Sequence, residues 1–182
     1  PINSQVTADL VEKTNTGYRA VYKYGFHTDA GTYAVSCYAK ANTNSTVTLL
    51  FAKSDVSQYF RAWFNLSNGT VSGSNYSGGA SIVSTAITAV GTDGWYRVSM
   101  IGTVTFTTTS VLYIYPDQYN LTNAGSVYLW GMQVQQSTTL PDYESYTNST
   151  ATKAITFSQP FLNTDYAVGI TGQTLNTGDY FN

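Results

Sequence analysis

The chain has 182 residues, of which only 10% are charged, and a net charge of −2. The length suits one β domain with a sizeable core and a small appendix, and the charge balance, with no basic cluster, argues against a nucleic-acid partner. No run approaches the roughly eighteen apolar residues of a membrane-spanning helix, and a single cysteine, Cys37, leaves no internal disulfide framework and no cysteine zinc site.

Sixteen tyrosines and abundant Thr, Ser and Asn favour strands and turns. No window keeps a helical period over three turns, so the expectation is an all-β chain. The opening Pro-Ile-Asn-Ser-Gln lacks the features of a signal peptide. Gln5–Glu12 and Tyr18–Tyr24 read as strands separated by the turn Asn15-Thr16-Gly17. His27 to Gly31 reads as a loop, with His27 a surface residue that lacks the partners a catalyst or ligand needs. Thr32–Ala41 is a strand in which Val35, Cys37 and Ala39 alternate with Ser36, Tyr38 and Lys40. This is half-buried patterning, with Cys37 as a small buried apolar residue. After a turn at Asn42–Ser45, Thr46–Lys53 and Gln58–Leu66 are expected to pair.

Gln58–Leu66 carries the most chemistry. Phe60, Ala62, Phe64 and Leu66 share one face, assigned to the core, while Tyr59, Arg61, Trp63 and Asn65 share the other. Flat aromatics beside a guanidinium and an amide suit a sugar, whose C–H faces lie on rings and whose hydroxyls need planar donors and acceptors. The same residues would equally pack beneath a loop or against another subunit.

Asn68-Gly69, Gly73 and Gly78-Gly79 punctuate the next region. Ala80–Val90 is extended. Trp95–Gly102 turns Tyr96, Val98 and Met100 one way and Trp95, Arg97 and Ser99 the other. Ser110–Pro116 places Leu112 and Ile114 inward, with Tyr113 and Tyr115 opposite. Strands of this length with turns every eight to twelve residues or so indicate a sandwich of two antiparallel sheets. The stretch Gly125 to Tyr146 would organise it. Val127, Leu129 and Gly131 fall on one face and Tyr128, Trp130, Met132 and Val134 on the other, so this strand is expected to be central and buried on both sides. Gly131 suggests a bulge, and Leu140-Pro141 takes the chain out of the sheet.

Several motifs resemble a known family. Gly31-Thr32-Tyr33-Ala34-Val35-Ser36-Cys37-Tyr38-Ala39-Lys40-Ala41 comes first, then Phe64-x-Leu66-x-x-Gly69 and Gly94-Trp95-Tyr96-Arg97-Val98-Ser99. Val127-Tyr128-Leu129-Trp130-Gly131-Met132-Gln133-Val134 and Leu140-Pro141-Asp142-Tyr143 follow. In this order and spacing they resemble the carbohydrate-binding-module-like β-jelly roll of bacteriophage tail fibres and other virion proteins, over about Gln5 to Thr147. Met132 and Gln135 stand where that family has alanine and glutamate, and its pattern begins some residues before Pro1, so an excised or processed fragment is expected. Ala154-Ile155-Thr156-Phe157, Pro160-Phe161 and Tyr166-Ala167-Val168 resemble the opening of a small tail-fibre tip domain. The resemblance implies a jelly roll over residues 1–147, then a linker and short C-terminal β segment over 148–182. It implies Trp95 and Trp130 in the core.

The eight aspartates and two glutamates present no obvious inward pair of the kind a glycosidase needs. Asp29, Asp93 and Asp117 lie near Gly or Pro in turns, no Ser-His-Asp set forms around His27, and no GxSxG or phosphate loop occurs. The expectation is therefore a non-catalytic module. One reading is a receptor-binding fibre domain at the virion surface that adheres to host glycans, through Tyr59, Arg61, Trp63 and Asn65 with Tyr38, Arg97 and Tyr115 from other strands. These form one patch if their strands share a sheet. The other is a purely structural fibre or capsid-decoration domain, a homotrimer with its aromatics between chains. Both involve other virion proteins as partners. Six Asn-x-Ser/Thr sequons, at Asn44, Asn65, Asn68, Asn75, Asn120 and Asn148, admit a glycosylated secreted protein as a third. No cofactor is expected. A structural calcium ion suits such jelly rolls, but no dense acidic loop offers it ligands.

Overall fold

Alternating apolar residues organise ten strands, seen in a computed structural model that describes residues 8–14, 17–119 and 124–143. They are β1 (Asp9–Lys13), β2 (Val21–Thr28), β3 (Gly31–Ala41), β4 (Thr46–Lys53), β5 (Tyr59–Asn65), β6 (Thr70–Ser77), β7 (Ser81–Val90), β8 (Trp95–Val104), β9 (Thr108–Tyr115) and β10 (Gly125–Gln136). The segment 148–182 lies outside the described residues.

The strands form two five-stranded antiparallel sheets. One, the β3 sheet, runs β1-β10-β3-β8-β7; the other, the β4 sheet, runs β2-β9-β4-β5-β6. The chain changes sheet at each of its first three connections, so β1 to β4 alternate between layers. Without β6 and β7, this is the eight-strand order of a jelly roll. The consecutive strands β6 and β7 add one edge strand to each sheet. Between the layers lies a continuous core of Val35, Cys37, Val98, Met100, Val127 and Leu129 from the β3 sheet against Leu49, Phe51, Phe60, Phe64, Leu112 and Ile114 from the β4 sheet. Phe51, Phe60 and Phe64 are wholly buried, each contributing roughly 2–3 kcal/mol of transfer free energy.

The central, doubly buried strands are β3 and, in the other sheet, β4, not β10. Both faces of β3 are closed: Val35, Cys37 and Ala39 inside, and Ala34, Ser36 and Tyr38 outside, none more than 4% exposed. The expected half-buried pattern fails because the chain returns after β10 and crosses the outer face. Tyr143 stands edge-on to Tyr38 and Trp130, with ring centroids 5.5 and 5.1 Å apart, and Arg97 Nη2 donates to the Pro141 carbonyl at 2.6 Å. β10 is second from the edge, covered laterally by β1. Its bulge falls where expected: the register with β3 shifts between Trp130 and Gln133, and Gly131 sits at φ +63 with the Tyr38 ring too close to admit a Cβ. The extra residue reverses the faces. Val127 and Leu129 point inward before the bulge, but Val134 packs on the core after it, so Val134 does not share a face with Trp130.

Three further expectations are corrected. Residues 70–77, where the sequence marks no strand, form β6, because pairing to β5 supplies the hydrogen bonds that its Ser-rich sequence does not advertise. His27 belongs to β2 rather than a loop, paired with Thr109; its side chain is exposed, as expected of a surface histidine. Trp95 and Trp130 both lie outside the core cluster. Trp130 instead stacks on Tyr38 on the outer face, with centroids 4.1 Å apart and planes 9° apart. Cys37 is fully buried, and burial pushes its thiol up to about 12.

Candidate functional site

The outer faces of the two sheets differ in what covers them. In the β3 sheet, Arg97 Nη2 donates to Ser36 Oγ and Gln133 Oε1, both at 3.2 Å, as well as to the Pro141 carbonyl. Its guanidinium lies 5.8 Å from the centre of the Tyr38 ring, and Tyr38 is itself 4% exposed between Trp130 and Tyr143. These groups are occupied by the chain itself, and residues 137–143 close the surface above them.

On the outer face of the β4 sheet, half-buried side chains lie over a buried floor. Tyr59, Arg61, Trp63 and Asn65 alternate outward from β5 as the sequence predicts, each half-buried, while Phe60, Ala62 and Phe64 are fully inside. β4 lies between β5 and β9 and brings Leu50 opposite both Arg61 and Tyr113. Leu50, Ala52 and Val111 make a small apolar floor, and Tyr115, 7% exposed, completes it. Tyr59, Tyr113 and Tyr119 pack over that floor.

Successive ring contacts form a track across this face. Tyr22 of β2 lies 5.7 Å from Tyr113, Tyr113 lies 6.0 Å from Tyr115, and Tyr115 meets Tyr119 edge-on at 4.8 Å. Tyr18 stacks on Tyr119 at 4.5 Å. The track ends at Arg61, whose guanidinium carbon is 4.2 Å from the Tyr119 centroid, 5.4 Å from Tyr59 and 5.8 Å from Trp63. Such contacts stabilise a cation and fix its plane. Arg61 Nε donates to Asn75 Oδ1 at 2.6 Å across the β5–β6 pair. Trp63 lies over its cross-strand partner Gly73, where an added Cβ would come within 2.7 Å of the indole. Burial first, and then neighbouring Tyr119 and Tyr113, hold the Tyr115 hydroxyl above the ordinary phenol range.

The loop after β9 that carries Tyr119 is held from below. Asp117 is 1% exposed and accepts Lys13 Nζ at 2.5 Å through Oδ2; Lys13 is equally buried. Asp117 Oδ1 accepts the Tyr119 backbone N–H at 2.7 Å, and its carbonyl accepts Thr48 Oγ1 at 2.7 Å. Asn44 Nδ2 donates to the Pro116 carbonyl at 2.6 Å. These bonds hold Tyr119 at φ +57, an uncommon left-handed conformation for a non-glycine residue.

The seven candidate residues therefore do not form one patch. Tyr59, Arg61, Trp63, Asn65 and Tyr115 share the β4-sheet face; Tyr38 and Arg97 belong to the β3 sheet, on the opposite side of the sandwich. Sequence reasoning missed Tyr18, Tyr22, Tyr119 and Asn75. Tyr22 and Asn75 join through cross-strand register, which no local pattern encodes. Among the sequon asparagines, Asn44 and Asn75 are engaged as above, and Asn65 Oδ1 accepts from Ser67; Asn120 and Asn148 lie outside the described residues. No family model matches the chain, and no curated protein matches it.

Proposed function

We propose that this chain is a non-catalytic adhesion module that binds host-surface glycans on the outer face of its β4 sheet and is carried on a virion fibre. The observation that carries the binding reading is the aromatic track ending at the half-buried Arg61, flanked by the amides of Asn65 and Asn75. Rings at this spacing offer successive platforms for the C–H faces of sugar residues, and the planar groups between them match hydroxyls. The placement on a virion, and a homotrimeric assembly with other virion proteins, rest on the sequence resemblance. Trimers would present each weak site three times and gain avidity.

The test is a glycan array with whole-cell binding, comparing the chain with Trp63→Ala. Loss of the indole platform is expected to weaken binding about tenfold or more while the thermal unfolding profile stays cooperative. Unchanged binding by the folded variant removes Trp63 from the site. The structural alternative draws on the same surface. Tyr22 and Tyr24, 62% and 53% exposed, are the observation that favours it, because exposed aromatics suit a chain–chain contact. A monomer by light scattering at micromolar concentration, together with glycan binding, excludes that alternative.

A further inference from the structure

Resting on the glycan reading above, we propose that the ligand is an anionic sugar, whose carboxylate or sulfate group is received by Arg61. The protein has two arginines on outer sheet faces, and their surroundings differ. Arg97 spends Nη2 on three acceptors and lies beneath the returning chain. Arg61 uses only Nε, toward Asn75, and its terminal nitrogens make no hydrogen bond to any described residue. They are not among the buried unpartnered atoms either, so they are reached by solvent.

No carboxylate among the described residues neutralises Arg61. Asp117, below the same face, is held by Lys13. Asp55, on the turn between β4 and β5, pairs with Lys53 at 2.9 Å and accepts from Ser57. The three rings within 6 Å of the guanidinium do not cancel its charge, but they fix its orientation. The result is a preoriented cation with free donors beside ring platforms. A guanidinium so placed pairs in two-point fashion with a carboxylate or sulfate, which a neutral hydroxyl cannot reproduce. The chain's net charge of −2 gives an anion no general electrostatic attraction, leaving the local cation to supply it.

The experiment measures binding by calorimetry of oligogalacturonate and of a sulfated galactan, each against its neutral counterpart, carboxyl-reduced in one case and desulfated in the other. The arms separate a carboxylate from a sulfate source, and they need no variant. Arg61→Gln and Arg61→Lys are run alongside, with thermal melts to confirm folding. At least one anionic form is expected to bind about 10- to 100-fold more tightly than its neutral counterpart. Arg61→Gln should abolish that preference, and Arg61→Lys should restore only part of it. Equal binding of charged and neutral forms overturns the inference, as does an Arg61→Gln variant that keeps the preference. A neutral glycan bound in a Trp63-dependent manner on the array, with no anionic ligand found, overturns the anionic assignment and leaves the adhesion reading standing. No glycan bound by the folded protein overturns both.

Discussion

Replacing Lys13 with methionine tests whether the buried ion pair under the site holds it together. Lys13 and Asp117 are each 1% exposed and meet at 2.5 Å. Methionine fills much of the lysine volume but leaves the Asp117 carboxylate without its cation. Oδ1 would still accept the Tyr119 N–H, whereas Oδ2 would lose its charged donor. Removing one partner of a buried pair costs about 3–5 kcal/mol, because the desolvation penalty of the other is no longer offset. At about 3 °C per kcal/mol for a domain near this size, the melting temperature should fall by roughly 10–15 °C. The double variant Lys13→Met/Asp117→Asn removes both charges and keeps an acceptor for Tyr119, so it should recover at least half of the loss. Urea unfolding of the wild type, both single variants and the double gives the coupling energy directly. A loss below about 1 kcal/mol for Lys13→Met is the value of an exposed pair. That result, or a double variant no better than the sum of the singles, would refute the reasoning. Because Asp117 also sets the conformation of Tyr119, Lys13→Met should weaken ligand binding at Arg61 as well.

Other expectations follow from single contacts. Phe60 is fully buried between the sheets, with its ring 5.5 Å from Phe51, so Phe60→Ala should cost about 3–5 kcal/mol, read as a shift of the urea midpoint at constant m-value. Gly73→Ala places a Cβ within 2.7 Å of the Trp63 indole, on a backbone conformation that L side chains rarely adopt; the ring must move, with a changed near-ultraviolet circular dichroism spectrum, weakened glycan binding and a lower urea midpoint. Burial raises the Cys37 thiol from 9.0 to about 12, so native Cys37 should resist alkylation at pH 8 and react once unfolded in urea. The same burial has a consequence for stability. An acid whose folded pKa lies above its unfolded value favours the fold fully below the unfolded pKa, and that stability is lost as pH rises toward the folded value. Stability should therefore decline from about pH 9 to 12, by ~1.4 kcal/mol per pH unit from this group. Cys37→Ala should show a shallower decline in pH-dependent melts, with the residual slope coming from Tyr33 and Tyr115, which burial also raises.

The sequence by itself determined most of the strands and, on β5, β8 and β9, their inward faces. Alternation has a period of two residues and is written locally, so Phe60, Ala62 and Phe64, or Leu112 and Ile114, identify themselves as core without knowledge of their neighbours. It also placed Tyr59, Arg61 and Trp63 together, since they share one strand, and it located the bulge at Gly131. Tertiary structure decided which strands are neighbours. β6 is legible only through its ladder to β5, because Gly and Ser carry little strand preference of their own. β3 is buried twice because residues 137–143 return over it, a contact between segments about a hundred positions apart. The same return separates two arginines that looked alike in sequence: Arg97 is closed under the chain, and Arg61 is left half-buried among rings. Tyr38 and Arg97 part from the β5 residues because the chain crosses between layers after β3, and sheet membership is a long-range property that alternation within a strand cannot carry.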